Sequence, residues 1–121
     1  MKHTFEIDIE HGILRESFEG VVDFKALKGA DTAITADPSF QRGFNFLTDL
    51  RKAKISIGYE EIAGHASNLP DLGIRKQAFI VSDELEFGMA RMFTLLTEGK
   101  EHFLESRVFW NLQEASKWLS S

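Results

Sequence analysis

Residues 4–9 (TFEIDI) alternate between apolar and polar, with Phe5, Ile7 and Ile9 on one side and Thr4, Glu6 and Asp8 on the other. A spacing of two predicts a strand with one buried and one wet face. Glu10-His11-Gly12 supplies a turn in which Gly12 can take positive φ, and apolar positions resume over residues 13–18. An antiparallel hairpin is expected, with His11 as a turn residue. After Glu19-Gly20 the spacing lengthens: Phe24, Leu27 and Ile34 share one helical face, with Ala26, Ala30 and Ala33 beside it. Asp23 is the expected N-cap. Asp37-Pro38 ends the helix, because the residue before proline is pushed out of the α region.

Residues 44–51 (FNFLTDLR) put Phe44, Phe46, Thr48 and Leu50 on one side and Asn45, Leu47 and Asp49 on the other. Apolar groups on both sides predict a central strand covered on both faces. Residues 51–58 read as a polar connection. Tyr59 then opens a helix carried by Ile62, Ala66 and Leu69 and ended by Pro70. The run 77–81 (QAFIV) reads as a second buried parallel strand. Asp83 and Glu86 stand as N-cap and N3 of the next helix, whose inward stripe is read as Leu85, Met89, Met92 and Leu96, widened by Phe93, with Gly99 as its stop. Residues 107–109 form the last strand, starting as early as Leu104. Asn111 caps a final helix with Glu114 at N3, Trp110 in the staple position, and Leu112, Ala115, Trp118 and Leu119 facing inward.

The expected fold is therefore a single α/β domain over residues 1–121, with a mixed, mostly parallel sheet of about five strands in the order β-β-α-β-α-β-α-β-α and about four helices. At 121 residues such a domain buries enough surface to fold without staples. A hydrophobic content of 43% is far from that of a disordered chain. The absence of cysteine removes disulfide and thiolate chemistry. Charges interrupt the N-terminus too early for a signal peptide and no apolar run reaches membrane-spanning length, so a cytoplasmic protein is expected. A formal charge of −5 opposes nucleic-acid binding, and the short basic group Arg51-Lys52-Ala53-Lys54 reads as a solvated loop.

Ligands of parallel sheets gather where loops leave the carboxyl ends of the strands, here around Asp49 and Arg51, Ser82 and Asp83, and residues 109–111. Each has a structural use: an ion pair for Asp49 with Arg51, helix capping for Ser82-Asp83 and for Asn111. No G-x-S-x-G elbow and no phosphate-cradling glycine loop occurs. Glu61 and His65 could share a helix face, but a metal needs three or four ligands, and His3, His11 and His102 are scattered. Arg91 lies beside an apolar stripe and must snorkel or find an acid, for which Asp49 is one candidate. No enzyme activity, cofactor or metal is expected.

The Asp49-Leu50 pair closing the central strand, the segment Gly88-Met89-Ala90-Arg91-Met92 and the ending 108–119 (VFWNLQEASKWL), set in this element order, resemble the STAS/SpoIIAA-like superfamily and within it bacterial SpoIIAA-like proteins. The resemblance covers nearly the whole chain and implies the fold. Its anti-sigma-factor antagonists are switched by phosphorylation in an Asp-Ser-Ser-Gly-like segment after the central strand. Here Ser56 is the one hydroxyl besides Tyr59 between Asp49 and Glu60, and no Ser-Gly pair accompanies it, so Ser56 is read as a loop or cap residue. The resemblance thus implies a non-catalytic protein-interaction or regulatory module with an unknown protein partner. Its candidate surface comprises Asp49, Arg51, Lys52, Ser56, Tyr59, Ser82 and Asp83. The alternative it implies is a domain binding a small apolar ligand, a lipid or a nucleotide, in a pocket lined by some of the eleven Phe. An Asp49 phospho-receiver is disfavoured, because the chain opens with a hairpin and places Trp110-Asn111 after its last strand. An exposed edge strand and surplus aromatics allow a homodimer.

Overall fold

In a computed structural model, which describes residues 1–65, 70–97 and 103–121, the strands lie side by side in chain order. They are β1 (Lys2–Asp8), β2 (Ile13–Val22), β3 (Asn45–Ile55), β4 (Ile74–Ile80) and β5 (Phe103–Phe109). β1 and β2 pair antiparallel through the expected hairpin, and the remaining pairs are parallel. The helices α1 (Phe24–Ala36), α2 (Tyr59–His65) and α3 (Glu84–Thr97) are the crossovers between them, and α4 (Leu112–Leu119) closes the described chain. The predicted order and sheet are those observed. No helix among the described residues is long and apolar enough to cross a membrane.

The caps are local and match the sequence reading. Asp23 accepts from the Ala26 amide at 2.8 Å, Asp83 from Glu86 at 2.8 Å and Asn111 from Glu114 at 2.9 Å. Each satisfies an amide that a helix start leaves without an internal partner. The turn between β1 and β2 is held by Gly12 at φ +64° and by Asp8, which accepts from the His11 amide and ring. Ile9 lies in that turn, largely exposed, rather than on the buried face of β1.

Alternating residues of the strands face opposite layers. Phe18, Leu50 and Phe79 pack with Ala30 of α1 and Ala90 of α3, while Leu14 and Phe46 pack with Ile34. On the other face Leu47, Ala78, Ile80 and Phe109 meet Ala115 and Leu119 of α4. β3 is thus central and covered on both faces, as its pattern predicts.

Two corrections concern periodicity. β3 does not end at Arg51 but runs to Ile55 and pairs with β2 throughout, so residues 51–55 are strand and not a polar connection. Ser17 faces Asp49 and Glu19 faces Lys52, so Leu50 and Arg51 together oppose Phe18. This bulge adds one residue and reverses the alternation. Beyond it Ala53 and Ile55 join the core and Lys52 and Lys54 point to water, a pattern that an uninterrupted period of two reads as loop. β2 likewise continues past Glu19-Gly20 to Val22 alongside it.

The second correction is the phase of α3. Its buried residues are Glu86, Ala90 and Thr94, with Phe87, Met89 and Phe93 half-buried, whereas Leu85 is 64% and Leu95 63% exposed. The helix is apolar on more than one side, so its moment does not select the inward one. Leu112 is also exposed, and Trp110 stacks on Phe87 of α3 at 5.0 Å with rings 2° from parallel. The predicted helix residues Ala66 and Leu69, the stop at Gly99 and His102 lie outside the described residues.

Candidate functional site

The bulge explains why Asp49, Arg51 and Ser82 occur together. A bulged residue loses ladder partners, and its backbone groups need others. The Arg51 amide donates to Asp49 Oδ1 at 3.0 Å, and the Arg51 carbonyl accepts from the Ser82 hydroxyl at 3.0 Å. The guanidinium of Arg51 also grips the Asp49 carboxylate through Nε at 3.0 Å and Nη2 at 2.8 Å. β4 pairs with β3 only as far as Asp49, opposite Ile80. Past that point the start of α3 takes over: the buried Glu86 carboxylate accepts from the Ile55 amide at 2.9 Å. Glu86 therefore does more than stand at N3 of its helix; it fastens the far end of β3.

Burial raises the Asp49 carboxyl, but the hydrogen bonds from the Arg51 side chain and amide, with the nearby positive charges, outweigh it and hold the carboxyl below its usual range. A depressed carboxyl stabilises the fold above its unfolded value and stops doing so as the pH falls through its folded one. Asp49→Asn should therefore lower stability at neutral pH by at most about 1 kcal/mol, as befits a partly exposed pair. The gap to wild type should close in urea titrations below the ordinary value of 3.8. An unchanged gap there would show that the pair's charge is immaterial.

The other predicted site residues are not gathered into one cavity. Lys52 is exposed and lies 3.6 Å from Glu19; the Ser56 amide continues the ladder to the Val22 carbonyl; Asp83 caps α3; Tyr59 opens α2 and is 60% exposed. Arg91 does not reach Asp49, whose partner is Arg51; it is exposed in a groove formed with Tyr59, Phe87, Met92 and Leu95. Glu61 accepts from the Gly58 amide. Among the described residues no three His, Cys, Asp or Glu side chains are placed to hold a metal.

A polar chain inside the core was not read from the sequence. His3 Nε2 lies 2.8 Å from Glu16 Oε1; Thr48 Oγ1 donates to Glu16 Oε2 at 2.7 Å; Gln77 Nε2 donates to Thr48 Oγ1 at 2.8 Å. Glu16, Thr48 and Gln77 are 6%, 2% and 5% exposed. They form the polar end of a buried cavity of about 60 Å³ whose other walls are mainly aliphatic and aromatic. Asp31 of α1 reaches the same end, its carboxyl pushed well above the ordinary range by burial and, secondarily, by the Glu16 carboxylate. The signal was present in the strands: Glu16 lies between Leu14 and Phe18 and Thr48 between Phe46 and Leu50, all on the inward side. Each polar residue sits in the alternation where an apolar one belongs.

No family model matches the chain, and no curated protein matches it in sequence. Among solved structures, it is similar to a protein of the DUF3478 family with a SpoIIAA-like fold from Shewanella loihica PV-4. The TM-score is 0.60 over 98% of this chain and 92% of that one, at 14% identity. The SpoIIAA-like fold expected from the sequence is the fold of this chain, and at that identity the likeness extends to the fold alone.

Proposed function

We propose that the chain is a non-catalytic protein-interaction module of SpoIIAA-like fold, and that it docks a partner on the outer face of α3. The observation that carries this reading is the apolar surface left uncovered there. Leu85, Met92 and Leu95 follow one another at helical spacing along α3, and Leu85 and Leu95 are more than three-fifths exposed. Tyr59 and Phe87 flank the same groove, and Trp110 extends it by stacking on Phe87. Tyr59 is the member of the sequence-predicted surface that belongs to this face.

Single exposed leucines are ordinary, but a contiguous group containing a Tyr and a Trp is the composition of an interface centre. Glu60, Glu61 and Glu84 are exposed on the same helices, so a partner with an apolar ridge and basic flanks complements the face. Asp49, Arg51 and Ser82 support the surface indirectly, by holding the end of β3 against the start of α3.

The test is a comparison of wild type with Leu85→Glu/Leu95→Glu in quantitative affinity capture, alongside sedimentation of each protein alone. Loss of a captured partner by about ten-fold or more in the double variant supports the reading, since buried apolar anchors dominate such interfaces. Self-association lost in the variant identifies the partner as a second copy. Equal capture by both proteins, with both monomeric, rejects this face.

A further inference from the structure

The first strand supports an inference independent of the α3 face. β1 is an edge of the sheet: among the described residues it pairs with β2 alone, so every second backbone amide and carbonyl on its other side is open to solvent. Edge strands ordinarily carry a device against further pairing, such as a proline or a bulge. β1 has neither. All seven of its residues stand in register with β2 without a shift, and its inward side is formed by His3, Phe5 and Ile7, each only half-buried.

Charge is unevenly placed along this strand. On the side opposite Phe5, Lys2 stands at the start and Glu6 and Asp8 toward the end. Lys2 makes no ion pair among the described residues: Glu19, which faces it on β2, is engaged by Lys52 at 3.6 Å. A second copy laid antiparallel about a two-fold axis at Phe5 brings the opposite ends together. Lys2 then faces Asp8 of the second copy, with Glu6 of that copy diagonal to it, and the same contact recurs at the other end. On the inward side Phe5 meets its own counterpart on the axis and His3 meets Ile7. Met1 and Ile9, 57% and 56% exposed, flank the strand and fall opposite one another in the same register. A parallel pairing would instead set Lys2 beside Lys2 and acid beside acid. At the other edge of the sheet, on β5, the cation is already engaged, since Arg107 lies over the Trp118 ring at 5.5 Å.

We propose that β1 is a self-association surface, on which two copies of the chain pair β1 to β1, antiparallel about Phe5, and join their sheets into one. Opposite charges at both ends set the register, and aromatic and aliphatic pairs between them cover side chains that a single copy leaves half-exposed.

The test is sedimentation equilibrium of the full chain, with the fold of each variant checked by circular dichroism. Wild type should form a dimer. Lys2→Asp sets acid opposite acid at both ends and Asp8→Lys sets base opposite base, so each should weaken self-association by about ten-fold or more. Mixed in equal amounts, the two variants regain opposite charges at both ends and should associate with each other about as tightly as wild type does with itself. That recovery also separates lost charge pairing from damage to the turn, where Asp8 accepts from His11. In wild type the β1 amides should exchange more slowly at high chain concentration than at low. A wild type that stays monomeric up to about 1 mM overturns the proposal, and so does a mixture no tighter than the separate variants. Association lost in Arg107→Glu or in Leu85→Glu/Leu95→Glu, while Lys2→Asp still dimerises, assigns the contact to β5 or to α3 and overturns it as well.

Discussion

Phe46→Ala should destabilise the protein by about 3–5 kcal/mol and lower its melting temperature by roughly 10–20 °C. Phe46 has no exposed surface and stands in the central strand. It packs with Leu14, Ile34 and Ile74 in one apolar cluster and meets the Phe40 ring edge-on at 6.0 Å. Removing the ring costs its transfer energy and leaves a void that strands paired on both sides cannot close. Because Phe46 also walls the cavity, the void would join it. Urea denaturation measures the loss. A change below about 1 kcal/mol would mean that the surrounding layers are free to collapse onto the site. The void should admit small apolar molecules, a gain readable as recovered melting temperature on adding them.

Glu16→Ala should cost a similar amount, about 3–5 kcal/mol, by a different mechanism. The side chain is 6% exposed and engages His3 and Thr48 at 2.8 and 2.7 Å. Alanine leaves the His3 ring and the Thr48 hydroxyl without their acceptor in a region that water does not readily reach, and frees Thr48 to turn away from Gln77. Glu16→Gln keeps one acceptor and should cost clearly less. Equal losses in the two variants would assign the effect to the charge, and a negligible loss in both would show that the chain of bonds contributes little. Asp31 provides a control with the opposite sign. Its raised carboxyl favours the folded state when protonated, so stability falls as the pH rises from the ordinary 3.8 toward its folded value. Asp31→Asn should therefore be more stable than wild type at neutral pH, with the gain fading toward pH 3.8.

Much of the architecture could be read in the chain because the interactions that define it are local. Asp23, Asp83 and Asn111 each cap an amide three residues on, and the change of period from two to about four marks the elements without reference to their neighbours. The helical connections then require parallel strands, so the chain order β-β-α-β-α-β-α-β-α follows from sequence alone. The candidate site was legible only in part. Asp49 pairing with Arg51 spans two residues, but the bulge that gives the pair its purpose depends on the register between β2 and β3. A single extra residue there moved Ala53 and Ile55 inward.

The sequence by itself determined the elements, their caps and their order, since those depend on residues within a turn or two of one another. Tertiary structure alone decided which side of the doubly apolar α3 meets water, and that Glu86 fastens β3. It also decided that Glu16, Thr48 and Gln77 share one chain of hydrogen bonds. The last two outcomes join residues 29 to 32 positions apart, and hydrogen bonds and packing across such separations exist only once the sheet has set its register.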